Sequence, residues 1–591
     1  MVMKTQFKTL KRLFTNHLSR FITIVCIVIV SIGFMSGIGE VKNKLDSSNN
    51  YYYEENNLFD LNIKSKKESG FTNEEIQTLK SIYGENNLST ATIYDEMDEF
   101  GNVRRIYFYD LNSSINRIEL IEGTLPTSTS EIVIERETNF FKKHNIGDII
   151  TYNGMEYKIC GIIFNPLHTY VVDEPSYIDQ EKPLTDIFYF NFLNPYITTD
   201  IFITFQNRDV FDSFGNKYDE LLEIETNKIS YILTDIEILT LHENIGMAGL
   251  LFYGDKIEKI SFIFVVFFLL VTLLVVYSTM TRLLDEERSQ IATQKTLGYK
   301  DLKITQKYTL FVLTATIIGG IIAYFVGNLL TKMIYDAMEA HYDCAPYVRD
   351  TDHIYYFIVL GIVSIATSTL TLITGMKVTN KKPVTLLTPK VAKVGHKTLT
   401  ENIPFIWNNL TFKYKSTIRN VFLFKSRFFM TVVSIIGSFV LVLAGMGLLD
   451  NTRLDTIDSS AITIIAIAVI AFSAALSLLV IYNITNINIS ERNREIATLM
   501  VLGYRKREVC GYIYREIYTM SLIGAILGLP IGLLFLYFAF DMIDYGQVSN
   551  INWYTFIISP IITMSFTFIS TFFLRGKILK IDMNESLKSI E

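Results

Sequence analysis

The sequence predicts an α-helical integral membrane protein, with eight transmembrane helices in two four-helix repeats and one inserted extracytoplasmic α/β domain. Three observations support this fold class: eight long apolar stretches, a repeat at a constant offset of 205 residues, and an acidic segment between the first two stretches. A mean hydropathy of +0.28 is high for a soluble chain, and a length of 591 residues predicts several domains.

Each apolar stretch is long enough for the bilayer core, which takes about 20 mostly apolar residues per helix. The stretches cover residues 19–38, 259–281, 306–334, 354–375, 429–449, 460–484, 512–540 and 554–574. The first follows a basic segment, as a signal peptide does, but no convincing cleavage site of small residues follows it. We therefore expect a retained helix.

Loop charges assign each loop to one side of the membrane. Residues 1–20 contain five Lys or Arg and no acid, and residues 376–428 contain eleven Lys or Arg and one acid, so the positive-inside rule places both in the cytoplasm. Residues 40–254 contain 36 acidic and 17 basic side chains and are expected outside. The loops at 336–352 and 541–553 are acid-rich or neutral and are expected there too. A large soluble protein with very buried helices would not explain this alternation.

Both termini are then cytoplasmic, and we expect a multi-pass protein of the bacterial plasma membrane. The predicted boundaries are residues 1–38 for an amphipathic cytosolic segment and the first span, and 39–258 for the extracytoplasmic domain with a helical stalk. Residues 259–390 complete the first repeat, 391–428 form a basic cytosolic linker, and 429–591 form the second repeat.

The repeat is clearest around the cytosolic turn between the second and third helix of each unit. Three pairs of segments match at the same offset without a gap: 273–277 with 478–482, 291–293 with 496–498, and 297–300 with 502–505. Ser19-Arg20-Phe21 and Ser426-Arg427-Phe428 mark equivalent starts of each unit's first helix. The units differ in that only the first carries the large insertion.

Small residues recur every fourth position in the third helix of each unit. They are Gly319, Ala323 and Gly327 in the first unit and Gly524, Gly528 and Gly532 in the second. This spacing places them on one helix face, where small residues let transmembrane helices approach closely. We interpret them as helix-packing positions and not as the lining of a pore, and we expect no charged pathway inside the spans.

The inserted domain reads as mixed α/β. Residues 131–134 and 149–152 are predicted strands, and Asn153-Gly154 is a two-residue hairpin signal before a partner strand at 157–163. Thr72 or Asn73 is predicted to cap a helix that ends near Tyr83. Residues 39–58 and 236–258 are expected to extend the first two spans as a stalk; flexible tethers are the alternative.

Scattered histidines and cysteines predict no reactive site in this domain. His144, His168 and His242 show no metal-ligand spacing, and no Ser-His-Asp arrangement can be named. A bridge between Cys160 and Cys344 is compatible with the topology, but four free thiols, with Cys26 and Cys510, are the simpler expectation. We expect no catalytic residues, no metal site, no cofactor and no nucleic-acid partner.

The two cytosolic turns carry the most specific pattern. We call residues 284–300 the first turn segment and residues 488–505 the second turn segment. Both contain a charged helix followed by a glycine that fits the left-handed residue closing a helix. The second reads Glu491 to Gly503 as E-R-x-x-E-I-x-x-L-x-x-L-G.

This pattern resembles the cytosolic coupling segment of FtsX-like permeases, which include the MacB and LolC/E-type families. Residues 121–126, 131–133 and 147–148 resemble the MacB-type extracytoplasmic domain, and Trp407, 418–420 and 428–447 resemble the middle of two-unit members. The resemblance covers nearly the whole chain.

The resemblance implies a permease subunit of a type VII-like ABC transporter, whose turn segments bind a separate ATPase. The residues assigned to this coupling are Glu286, Glu287, Arg288, Gln290, Gly298, Glu491, Arg492, Glu495 and Gly503. The first turn segment departs from the pattern, with Glu287 in place of Arg and Gln290 in place of the second Glu. No phosphate-binding G-x-x-x-x-G-K-[ST] loop is present, so ATP and Mg²⁺ are expected on the partner, in two copies per permease.

Three functions remain open at this point. The first is mechanotransmission, in which ATP-driven motion exports or extracts a lipid, lipoprotein, peptide or drug. In this case the inserted domain would bind an extracytoplasmic substrate or partner protein. The second is an FtsX-like regulatory or sensory role, controlling a cell-wall hydrolase or an antimicrobial-peptide response. The third is a membrane enzyme, which requires a pocket of clustered titratable residues in 60–235.

Overall fold

A computed structural model gives the fold of the chain. It describes residues 2–98, 101–136, 144–169, 176–178, 182–191, 197–206, 208, 216–347, 353–388, 411–423, 425–453 and 460–579. Trp407 and the first part of the predicted linker 391–428 lie outside these residues.

Helices dominate the described chain. They are α1 (Val2–Asn16), α2 (Leu18–Gly39), α3 (Val41–Glu55), α4 (Asn73–Tyr83), α5 (Asn216–Ile232), α6 (Ile245–Glu286), α7 (Arg288–Thr296), α8 (Asp301–Met338), α9 (Ile354–Thr379), α10 (Pro383–Leu387), α11 (Phe412–Leu423), α12 (Lys425–Thr452), α13 (Ser460–Glu491), α14 (Asn493–Val501), α15 (Lys506–Ile543) and α16 (Thr555–Leu579).

Eight of these described helices are long and apolar enough to cross a membrane: α2, α6, α8, α9, α12, α13, α15 and α16. Each coincides with one predicted stretch, which confirms the predicted fold class. Several run beyond the apolar stretch, and α6 continues for 42 residues. The hydropathy pattern therefore located every span but not its full helical length.

The chain divides into two compact units. The membrane unit contains residues 1–40, 256–333 and 352–591, and the sheet unit contains residues 41–255 and 334–351. The short segment 334–351 was not predicted as part of the inserted domain. Within the sheet unit, Asp343 forms an ion pair with Arg136, and its amide donates to the Thr169 carbonyl across 2.6 Å. Such contacts between distant segments leave no local sequence signal.

The sheet unit contains one mixed sheet. Its described strands are β1 (Leu61–Ser65), β2 (Leu88–Met97), β3 (Val103–Tyr109), β4 (Glu119–Gly123), β5 (Glu131–Glu135), β6 (Ile149–Tyr152), β7 (Met155–Phe164), β8 (Leu184–Asn191), β9 (Asp200–Ile203) and β10 (Ile236–Thr240). Their order is β10-β1-β9-β2-β3-β8-β5-β7-β4, and β6 also pairs with β7. The α/β prediction is confirmed.

The predicted hairpin and its turn are present. β6 and β7 pair antiparallel with Tyr152 opposite Met155, and Asn153 and Gly154 between them have φ of +48° and +77°. Two consecutive positive φ values are what a tight two-residue hairpin turn needs, and Asn-Gly accepts them at low cost. β5 also lies where residues 131–134 predicted it.

The predicted helix cap is also present. Thr72 accepts from the Glu75 amide, and the Glu75 carboxylate accepts from the Thr72 amide across 2.8 Å, a reciprocal capping box. The stalk prediction holds only in part. Residues 41–55 form α3, but residues 236–240 form β10, which pairs with β1 and is not a helical extension. Ile236, Ile238 and Leu239 favour a strand there.

The small residues of α8 and α15 lie against the first helix of their own repeat. A side-chain carbon at Gly319 would meet Val28 at 2.8 Å, and one at Gly524 would meet Ile435 at 2.7 Å. Val28 and Ile435 differ by 407 positions, the offset that relates the two first-helix starts. The same helix pair therefore packs in the same register in both repeats.

Two further positions repeat this relationship. A carbon at Gly327 would meet Ser36 at 2.5 Å, and one at Gly532 would meet Leu443 at 2.7 Å. Ser36 and Leu443 are again 407 positions apart. Small residues are needed here because the helices approach closely: a side-chain carbon at Gly327 would also lie 3.2 Å from the Gly33 carbonyl oxygen.

Polar side chains join α6 of the first repeat to the second repeat. Asn483 of α13 donates to the Thr279 hydroxyl across 2.7 Å. At the other end of α6, the Lys256 ammonium donates to the carbonyls of Ile543 and Asp544 at 3.0 and 2.6 Å. A cation at this position binds the partly negative C-terminus of α15. These contacts hold the two repeats together inside the membrane unit.

Candidate functional site

The two turn segments have the same local geometry. In the first, the Tyr299 amide donates to the Gln294 carbonyl and the Gly298 amide to the Lys295 carbonyl. In the second, Tyr504 and Gly503 make the same bonds to Leu499 and Met500. This 6→1 and 5→2 pattern is the Schellman motif, and it requires the positive φ of +85° at Gly298 and +90° at Gly503.

Both turns present an apolar residue to solvent beside the glycine. Leu297 is 72% exposed and Leu502 is 69% exposed. A side-chain carbon at either glycine would meet no atom within 4 Å. The space beside each glycine is therefore open in the described chain. We call each exposed leucine together with its glycine a tip; such a leucine can reach another protein.

Arg492 lies inside the membrane unit and not on the tip. Its side chain is 5% exposed, and its Nη1 atom is 2.7 Å from Oε2 of Glu516, which is equally buried on α15. Burial alone would lower the pKa of the Arg492 guanidinium, but the Glu516 charge beside it raises the pKa above its usual value. Arg492 is thus a fixed cation that ties the start of α14 to α15.

Glu287 occupies the position of Arg492 in the first repeat and is also buried. Its carboxylate lies 3.0 Å from Nε2 of His17 and 4.0 Å from Nζ of Lys307 on α8. Gln290 donates to the same carboxylate across 3.3 Å. The two repeats therefore hold equivalent turns by ion pairs of opposite polarity.

Among the described residues, the N-terminal segment contacts the first turn segment and α8. Besides the contact between His17 and Glu287, Arg20 forms an ion pair with Glu286. Phe14 and Phe21 pack against the Phe311 ring of α8, with centroids 5.1 and 5.3 Å apart. In the first repeat, these contacts of the N-terminal segment lie at the position where the second repeat has the Arg492–Glu516 pair.

The remaining predicted coupling residues vary in exposure. Glu495 is exposed beside Arg492, with 3.7 Å from its Oε2 to Nε of Arg492. Arg288 is half-buried and Gln290 is exposed. Glu491 ends α13, but its side chain lies outside the described residues.

Sequence reasoning missed the residues that fix the turns: His17, Arg20, Lys307 and Glu516. Glu516 is a buried charge in α15, but one carboxylate paired with Arg492 is not the charged pathway whose absence is expected from the sequence. A charge within an apolar stretch is the one signal that pointed to Glu516.

Buried titratable groups do cluster in the sheet unit, as the membrane-enzyme hypothesis requires. Glu135 accepts from Tyr189 across 2.7 Å and from the Asn165 amide across 3.0 Å, and Tyr107 and His168 form a second pair at 2.9 Å. Burial raises the pKa of Glu135 to about 7, partly offset by His168 and these donors. All four titratable side chains are at least nine-tenths buried, so no substrate reaches them in this conformation.

The four cysteines, all within described residues, are free thiols, as expected. The Cys160 thiol donates to the carbonyls of Thr124 and Ile132 at 3.2 and 3.3 Å. No group of three or more metal-ligating side chains occurs in the part of the chain that the structure describes.

Comparison with protein families matches residues 262–383 and 467–583 to the C-terminal domain of FtsX-like permeases. The two matches begin 205 residues apart, at the offset of the internal repeat. The protein is an FtsX-like permease with two repeats. Each match contains one turn segment and the helices on either side of it.

Membership of this family identifies the permease as the membrane component of an ABC-type transporter and as a multi-pass membrane protein. It implies a partner ATPase in general. Comparison with curated proteins gives no significant match.

Proposed function

We propose that this permease is the membrane subunit of a type VII-like ABC transporter that works by mechanotransmission. The turn segments bind a separate ATPase, and ATP-driven motion of the turns changes the conformation of the sheet unit. The observation that carries this proposal is the pair of matching tips, each with an exposed leucine beside a left-handed glycine.

Each tip serves one ATPase copy, so that one permease takes two. ATP and Mg²⁺ are held by those partners. Leu297 and Leu502 make apolar contact with the ATPase, while Glu287 and Arg492 act as positioning residues behind them. This assignment revises the docking role inferred from sequence, because a buried charge already paired inside the chain has no free surface to offer.

Long rigid helices provide the transmission. α6 runs unbroken from Ile245 to Glu286 and ends at the first turn segment. At 1.5 Å per residue its 42 residues span about 63 Å, roughly twice the thickness of the bilayer core. Its first eleven residues belong to the sheet unit and the rest to the membrane unit. A displacement at its cytoplasmic end is therefore carried through one continuous helix.

The topology follows from the charges. Both termini and both turn segments lie in the cytoplasm, and the sheet unit lies outside a bacterial plasma membrane. The resemblance of residues 121–126, 131–133 and 147–148 to the MacB-type domain favours export or extraction of a lipid, lipoprotein, peptide or drug.

Copurification with the ATPase tests the proposal. The permease is coexpressed with candidate ABC ATPases, and the number of ATPase chains per permease is measured. We expect two for the wild type, one for Leu297→Asp or Leu502→Asp, and none for the double variant. The matched control is Ile224→Asp, since Ile224 is similarly exposed but lies on α5 of the sheet unit. An unchanged ratio in the double variant would show that the tips are not the docking sites.

A further inference from the structure

The two ends of the sheet differ in exposure. β4 forms one end, and all five of its residues are exposed. β10 forms the other end, where only Glu237 is exposed. Among the described strands none pairs with the outer side of β4, so it presents unpaired backbone N–H and C=O groups.

Apolar side chains surround this open edge. Leu120 and Ile121 of β4 are about half exposed, and the neighbouring hairpin adds Ile149 and Met155, which are 65% and 64% exposed. A side-chain carbon at Gly123 would lie 2.9 Å from Cδ1 of Ile146, so Ile146 covers the end of β4. Edges are normally protected from pairing by charge and by short or bulged strands. Here the exposed apolar side chains around β4 make pairing with another strand more favourable.

The surrounding charge is acidic. Glu119 and Glu122 are exposed on β4, and Asp148 and Glu156 are exposed on the hairpin, against two exposed bases among the described residues nearby, Arg117 and Lys158. The whole segment 40–254 has 36 acidic and 17 basic residues. Complementarity therefore favours a positively charged partner over a neutral or acidic one.

We propose that the β4 edge binds an extended cationic peptide segment by strand addition. The peptide backbone pairs with the free side of β4, its apolar side chains contact Leu120 and Ile121, and its lysines or arginines face Glu119 and Glu122. The bulge between Leu120 and Glu122 limits the paired length to a few residues. This inference deepens the proposed function by naming the class of extracytoplasmic partner.

Fluorescence anisotropy on the full-length permease tests this site. The protein is placed in nanodiscs of zwitterionic lipid, without ATPase, and titrated into a labelled peptide of alternating lysine and valine. We expect saturable binding that weakens about three- to tenfold in Glu122→Lys and in the double variant Leu120→Ser/Ile121→Ser. The matched control is Glu237→Lys, an equal charge change on the opposite edge, which should leave the dissociation constant unchanged.

A second peptide separates strand addition from plain charge attraction. The same sequence with N-methylated backbone amides keeps its charge but loses its donors, so it should bind much more weakly. Equal binding of the two peptides, or equal weakening by Glu237→Lys, would overturn the proposal. So would a shift from dimer to monomer in Leu120→Ser/Ile121→Ser without loss of peptide binding, because that would show that a second copy covers the edge. ATPase copurification is a separate measurement, so failure here leaves the coupling assignment standing.

Discussion

Arg492 and Glu516 form a buried ion pair, with Nη1 and Oε2 2.7 Å apart, at the position where the other repeat places Glu287 against His17 and Lys307. Each turn segment is thus anchored to the third helix of its repeat by an ion pair. In the second repeat the turn supplies the cation, Arg492, and in the first repeat it supplies the anion, Glu287. In the proposed mechanism, this anchoring keeps each turn and the third helix of its repeat together when an ATPase moves the turn.

Breaking the second anchor should destabilise the membrane unit. Glu516→Gln leaves Arg492 buried without a counter-charge, at a cost of roughly 3–5 kcal/mol. We expect a clear fall in the thermal unfolding midpoint of the purified protein, measured by circular dichroism in detergent. The double variant Arg492→Glu/Glu516→Arg, which exchanges the two charges, should restore part of the lost unfolding midpoint.

Glu495→Gln is the control for this prediction. Glu495 is also near Arg492 but is largely exposed, so its loss should change stability by less than about 1 kcal/mol. If Glu495→Gln and Glu516→Gln behaved alike, the pair would not be the anchor.

The close approach of α12 and α15 should make Gly528 intolerant of a methyl group. A carbon there would lie 2.6 Å from Cδ1 of Phe439, and overpacking of this kind costs about 1–3 kcal/mol. Gly511→Ala on the same helix meets no atom within 4 Å and should be neutral or slightly stabilising. Thermal unfolding of both variants measures the difference, and equal midpoints would contradict the packing.

Glu135 should make the stability of the sheet unit depend on pH. Burial raises its folded-state pKa to about 7, above the ordinary value of 4.5, so the folded state favours the protonated carboxyl. This contribution to stability is fully present below pH 4.5 and is lost as the pH rises through about 7. At 1.36 kcal/mol per pKa unit, the contribution is on the order of 3 kcal/mol.

The measurement compares wild type with Glu135→Gln, which cannot ionise, across this pH range. The difference in unfolding midpoint between the two proteins should shift in favour of the variant as the pH rises. A difference that stays constant from pH 4 to about 8 would show that Glu135 does not titrate in the folded protein.

Lys256 should hold the two repeats together at one end of α6. Lys256→Met removes the hydrogen bonds to the Ile543 and Asp544 carbonyls and should cost about 1–2 kcal/mol. Lys259→Met changes an exposed lysine one turn along the same helix and should have little effect. Thermal unfolding in detergent distinguishes them, and an equal loss in both would point to a general charge effect.

Local patterns accounted for much of this structure. The eight spans, the Asn153-Gly154 hairpin, the Thr72 cap and the turn glycines were all predicted, because hydropathy, capping and turn chemistry act over a few neighbouring residues. The prediction for 236–240 was wrong because a short strand flanked by polar residues takes its conformation from its partner, here β1.

By itself, the sequence determined the number of spans, the two repeats and the pair of matching turns. Only the tertiary structure showed that Arg492 and Glu287 are buried and that His17 reaches a carboxylate 270 residues away. It also showed that every residue of β4 is exposed, whereas four of the five residues of β10 are partly buried. The physical reason is the same in each case. Burial and ion pairing depend on which segments pack together, and segments distant in the chain leave no periodic or capping signal for one another.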